Sequence, residues 1–422
     1  MRERNWSHAE FCRAYARTAA EELRTSQTVT TQTAGRWLAG QLKGLPYPAQ
    51  QRVLQAMFGY EAAVLLGPPD AIPATAVGRT DGPDDQVQQA ATESAQFLMR
   101  AERTNVGPHT LDQFAAELRR IVTVYPNRPV YPLFVQLREL RDRAFEILEG
   151  RQHPNQAKDL YLVAGTTCGV LANASFDLGN LGAAETQART AFLCAELAGH
   201  NGLRAWIRGT QSLIAYWDDR PRAAVDHAVD GSRYIPESGT ALVRLAAIEA
   251  RARARADRSD TTAVNAALRR AEQARAGATP DEPGGMMAFP EAKQAFYAAT
   301  ARLWLGGDEA LAHAEADADR SVLAYEQAPA GDQRLGELNL ARLDLATARL
   351  RTDLNGTAEQ VRAVLDVTVH RPTDSVARRL RQVAAALNQR PYERSRLAAD
   401  LRHEIAARID HAAVPALPPG TS

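Results

Sequence analysis

The chain has 422 residues, 45% hydrophobic and 24% charged, with 50 basic and 50 acidic side chains. It is too long for one core and too apolar to be disordered, so at least two folded units are expected. The balanced charge gives no global pull toward nucleic acid, and any such partner must be sought in local charge.

The first helix is signalled by Ser7 and Glu10 at capping-box spacing, with Trp6 placed to staple onto Phe11. Phe11, Tyr15, Ala19 and Leu23 follow as an apolar stripe at helical spacing. Arg24 to Thr30 is a polar turn without glycine, and Thr30 can cap a short second helix that stops at Gly40. Ala34, Trp37 and Leu38 are expected to anchor that helix. A third helix starts near Pro48, with Val53, Leu54, Met57 and Phe58 on one face.

The other side of the second helix presents Thr31, Gln32, Gly35 and Arg36. Gln suits adenine, Arg suits guanine, and Gly removes bulk where a groove is tight. Between Leu23 and Tyr60 stand Arg24, Arg36, Lys43 and Arg52 and no acidic residue, which fits phosphate contact. The expected DNA-contacting set is therefore Thr30, Thr31, Gln32, Thr33, Gly35, Arg36, Lys43 and Arg52. A solvated polar face on an ordinary packing helix is the bland alternative.

Four prolines and three glycines between Gly67 and Asp85 mark a linker. The reading is a head at 1–67, a linker at 68–85, a long helical body at 86–411 and a disordered tail at 412–422. In the body, apolar residues and alanines recur every three to four positions, with helices over 156–179, 183–199, 202–218, 221–234, 239–257, 261–276, 290–305, 308–326, 333–352, 356–368, 373–388 and 392–410. Short turns at Gly179-Asn180, Asp218-Asp219, Asp257-Arg258, Gly306-Gly307 and Asp353-Leu354 recur every 39 to 49 residues, and alanine-rich helices follow the first four of them. This predicts antiparallel hairpins stacked in a tetratricopeptide-like α-solenoid, with Gly277 to Gly285 as an inter-helix loop. The fold class is all-α.

Two segments of the head, Thr30–Gly40 (TTQTAGRWLAG) and Pro48–Gly59 (PAQQRVLQAMFG), resemble those of actinobacterial XRE-like helix-turn-helix regulators with tetratricopeptide-like C-terminal domains. The body is similar to theirs at Leu171–Gly179, Ala198–Asn201, Gln211–Trp217 and Phe289–Lys293. The long first helix and the glycine-free turn depart from the usual pattern. The resemblance implies a transcription regulator that binds double-stranded DNA. A homodimer is expected because palindromic operators match dimer symmetry. An analogy with peptide-responsive regulators suggests that the body binds a peptide, a small-molecule effector or a protein partner. Candidate effector contacts on predicted helices are Asn173, Trp206, Gln211, Tyr216, Arg244, Lys293 and Tyr297, whose amide and cationic groups suit peptide backbone and carboxylate. The competing reading is a protein-interaction scaffold whose head binds no DNA.

Other chemistry finds little support. Cys12, Cys168 and Cys194 show no metal or disulfide spacing and read as buried thiols of a reducing cytoplasm. His403-Glu404 lacks the second histidine of a zinc-protease helix, and there is no phosphate-binding or nucleophile-elbow motif. No enzyme activity, metal or cofactor is expected, nor any signal peptide or membrane span.

Overall fold

The computed structural model describes residues 6–42, 44–67, 83–329, 332–368 and 371–411. Every regular element among them is helical, and none of these helices is long and apolar enough to cross a membrane. The chain divides into two compact units, Met1–Met99 and Arg100–Ser422. The tail at 412–422, residues 68–82 of the expected linker and Lys43 lie outside the described residues.

The first unit begins with α1 (His8–Glu21), α2 (Thr31–Leu38), α3 (Pro48–Phe58) and the single-turn α4 (Ala62–Leu65). Both halves of the Ser7–Glu10 capping box are made, and the Trp6 and Phe11 ring centroids lie 6.5 Å apart. Phe11, Tyr15 and Ala19 of α1 meet Ala34 and Trp37 of α2 and Val53 and Leu54 of α3 in one small core. Leu38 departs from expectation: it is 47% exposed. The helix ends immediately after it, where Gly40 takes φ +67° and the amide of Gln41 bonds back to the carbonyl of Arg36. The chain thus turns back, and Leu42 packs against the core instead.

A fifth helix, α5 (Pro83–Ala101), starts three residues inside the stretch read as linker, with proline at its first position. Its described side chains are exposed.

The second unit continues with α6 (Pro108–Val124), α7 (Val130–Leu148), α8 (Pro154–Asp177), α9 (Leu181–Ala198), α10 (Asn201–Trp217), α11 (Pro221–Gly231), α12 (Ala241–Ala256) and α13 (Thr261–Ala276). It is completed by α14 (Glu291–Leu305), α15 (Asp308–Gln327), α16 (Leu335–Arg349), α17 (Leu354–Thr368), α18 (Asp374–Leu387) and α19 (Arg396–His411). From α8 onward each even-numbered helix pairs with the helix after it and stacks on the helix two places along. Short joins force each pair to run antiparallel.

Small residues let the helices of a pair approach closely. Ala184, Ala188, Ala224, Ala228, Ala267, Ala271, Ala314 and Ala318 of the odd-numbered helices are all buried. In three pairs a hydroxyl bridges the gap: Ser212 donates to the carbonyl of Ala224 at 2.6 Å, Ser321 to Ala292 at 2.7 Å and Thr357 to Ala346 at 3.1 Å. The joins are capped by Asn180, His200 and Asp260, which accept from the amides of Ala183, Leu203 and Ala263.

Two features place the site. The loop from Gly277 to Pro290 forms a pinned wall. Asp281 accepts from both the amide and hydroxyl of Thr240, and Gly285 sits so close to Val122 that a side chain there would strike its carbonyl. The row of pairs also closes back on its own beginning. Arg378 donates to the carbonyl of Trp217, Arg371 to that of Tyr125, and the Leu335 amide to the side chain of Asn127.

Candidate functional site

Where the row closes, α8, α10, α12, α14 and α16 turn their inner faces onto one cavity within the second unit. The space open to the centres of water-sized molecules is about 90 Å³. One water needs roughly 10–15 Å³ by this measure, so a small molecule fits and a folded peptide does not.

Helical spacing explains which side chains converge. Asn173 and Asp177 lie one turn apart on α8, Arg244 and Arg251 two turns apart on α12, and Lys293 and Tyr297 one turn apart on α14. Trp206 comes from α10 and Glu337 from α16, while Tyr125, Arg334 and Arg371 come from the connections. Three glycines inside helices make the room. A side chain at Gly169 would lie 2.8 Å from the Trp206 ring, one at Gly209 3.1 Å from the Arg244 guanidinium, and one at Gly336 2.6 Å from that of Arg371.

The lining carries five cations, Arg244, Arg251, Lys293, Arg334 and Arg371, against two carboxylates, Asp177 and Glu337. Glu337 is heavily used: Lys293 bonds one oxygen, Tyr325 donates to the other at 2.6 Å, and Arg334 lies 3.8 Å away. Burial opposes its ionisation, but Lys293 and Arg334 outweigh burial and hold its pKa down at about 2. Asp177 accepts from Tyr125 at 2.8 Å and from Asn173 at 3.2 Å, with Arg371 at 3.6 Å. Burial dominates there and raises its pKa despite Arg371.

Two arginines differ from the rest. Arg244 is 6% exposed and donates only to neutral acceptors, the carbonyl of Trp206 at 2.6 Å and the hydroxyl of Thr210 at 3.1 Å. Burial lowers its pKa to about 10, which leaves it charged at neutral pH. Arg251 is 1% exposed and lies against two rings, 3.9 Å from the centroid of Tyr297 and 4.2 Å from that of Tyr216. Its Nε and Nη2 have no hydrogen-bond partner, and neither does Nε of Arg371.

Five of the seven effector candidates, Asn173, Trp206, Arg244, Lys293 and Tyr297, line this cavity. Gln211 does not; it turns away on α10 to accept from Arg208 at 2.8 Å. Tyr216 lies behind the lining, where it carries Arg251 on its ring and accepts from Trp304 Nε1 at 2.8 Å. Sequence reasoning missed Tyr125, Asp177, Arg251, Arg334, Glu337 and Arg371. The readable signal among them is the two-turn spacing of Arg244 and Arg251 on an apolar face.

In the first unit, Thr31, Gln32 and Arg36 project from α2 into solvent, and Arg52 is exposed on α3. Thr30 and Thr33 are committed to the helix cap: the Thr33 amide donates to the Thr30 hydroxyl at 3.2 Å, and the two hydroxyls lie 2.9 Å apart. Gly35 faces α1 more than solvent, since a Cβ there would touch the His8 ring at 3.6 Å. Arg36 and Arg52 form no ion pair among the described residues, so both charges are available to an outside partner.

No family model, curated protein or solved structure matches the chain.

Proposed function

We propose that this chain is a DNA-binding transcription regulator of the cytoplasm, in which a helix-turn-helix head is controlled by a tetratricopeptide-like body that binds an effector. The observation that carries the reading is the division of α2 into two faces. Ala34 and Trp37 hold it in the core, while Thr31, Gln32 and Arg36 stand free in a stretch with no acidic residue. A two-turn helix so anchored can place a guanidinium and an amide against base edges, with Arg52 on a phosphate. The cavity supports the effector half of the reading. It collects polar groups on five stacked helices, so a bound molecule would alter how those helices stack. A homodimer follows from the reading, since paired heads match paired half-sites.

The test is fluorescence anisotropy of the full-length chain on duplex DNA across a salt titration. Binding should weaken as salt rises, and Arg36→Ala should cost about 1–3 kcal/mol at a preferred sequence. Absence of duplex binding at low salt would overturn the reading and leave a protein-interaction scaffold in its place.

A further inference from the structure

We infer that the effector held by the body is a small polyanion, a molecule with two or three carboxylate or phosphate charges, and that Arg251 is its central contact. The inference rests on the effector half of the function proposed above, but its evidence is separate from the head.

Five cations and two carboxylates line the cavity. The buried pair behind it, Arg379 on Asp344, adds one charge of each sign and leaves the surplus unchanged. An uncompensated surplus of this kind is disfavoured away from water, and an anion of matching charge removes the penalty.

Buried guanidinium groups usually find acceptors. The Nε atoms of Arg204, Arg208, Arg342 and Arg371 lack one, but among the described residues only Arg251 leaves two donor atoms, Nε and Nη2, unpartnered. Asp344 is near enough to feel the charge of Arg251, but its hydrogen bonds are made with Thr300 and Arg379 and none with Arg251. The guanidinium carbon of Arg251 lies 4.2 Å from the Tyr216 ring centroid and 3.9 Å from that of Tyr297, contacts that restrict its movement. A fixed fork of donors suits the paired oxygens of carboxylate or phosphate. Arg244, satisfied only by neutral acceptors, and Arg371, half-satisfied, supply the second and third charges.

A cavity of about 90 Å³ excludes a long peptide or a nucleic acid and admits a small organic or inorganic anion.

The experiment is thermal unfolding of the full-length chain with citrate, with pyrophosphate, and with potassium chloride at matched ionic strength. Either polyanion should raise Tm saturably, by about 3–4 °C at a hundredfold excess over Kd, while chloride does not. A response to citrate alone assigns a carboxylate ligand, and a response to pyrophosphate alone a phosphate. Arg251→Gln should weaken binding at least about tenfold, and the exposed Arg351→Gln should leave it unchanged. If Arg251→Gln does not fold, Arg371→Gln serves in its place. No saturable shift with either polyanion, or an unchanged Kd in the cavity variant, overturns the inference. Because no DNA is present, polyanion binding without duplex binding would defeat the regulator reading alone, and the reverse result would defeat this one alone.

Discussion

Replacing Glu337 by Gln isolates the electrostatics of the cavity. The carboxylate holds Lys293 and Arg334 and accepts from Tyr325, and its side chain is 19% exposed. Its pKa lies at about 2, against an ordinary value of 4.5, because the two cations overcome burial. A carboxyl whose folded pKa lies below its unfolded one stabilises the fold above the unfolded value, and the gain is lost as pH falls toward the folded value. A gap of about 2.5 pH units corresponds to about 3 kcal/mol at neutral pH and to less than half of that at about pH 3. Gln keeps one acceptor oxygen for Tyr325 but presents an amide NH2 to Lys293, so it removes the charge together with one acceptor. Urea unfolding of the full-length chain, followed by far-ultraviolet circular dichroism, should therefore show Glu337→Gln destabilised by about 3 kcal/mol near pH 7, with the difference narrowing as pH falls below about 4.5. An equal difference at both ends of that range would refute the charge argument and point to packing. The same substitution increases the positive surplus, so citrate or pyrophosphate should bind the variant more tightly.

Other substitutions probe the remaining links. Asp344→Ala strands the buried Arg379, to which Asp344 bonds through Nε at 2.8 Å, and should destabilise by about 3–5 kcal/mol in urea unfolding. Gly169→Ala drives a methyl group toward the Trp206 ring, 2.8 Å away, and should cost about 1–3 kcal/mol net of any gain in helix propensity, with a shifted tryptophan emission; an unchanged spectrum would refute the contact. Burial raises the pKa of Cys168 to about 12 and of Cys194 to about 11, so iodoacetamide near neutral pH should label neither until the chain is unfolded. Labelling of Cys168 in the native chain would contradict its burial.

The elements were legible where local chemistry decides them. Ser7 and Glu10 announce α1, and Gly179 with Asn180 ends α8 and caps α9, because caps and turns depend on only a few neighbouring residues. Leu38 was misread because its helical phase matches Ala34, yet the chain reverses at Gly40 before that phase can be used. The cavity was half legible. Trp206, Arg244 and Lys293 could be picked as polar or aromatic groups on helices, but Gln211 lies five residues beyond Trp206 and so on another side of α10. Arg371 and Asp177 could not be paired from sequence, since 194 positions separate them and only closure of the row brings them to 3.6 Å.

The central claim is that Thr31, Gln32 and Arg36 read DNA under the control of a small anion in the body. Selection of genomic duplex fragments by the full-length chain, with and without citrate or pyrophosphate, tests it most directly. The account predicts enrichment of a shared sequence with two related half-sites, lost in Arg36→Ala and altered by the polyanion. Fragments recovered at low salt in the proportions of the input pool would contradict it.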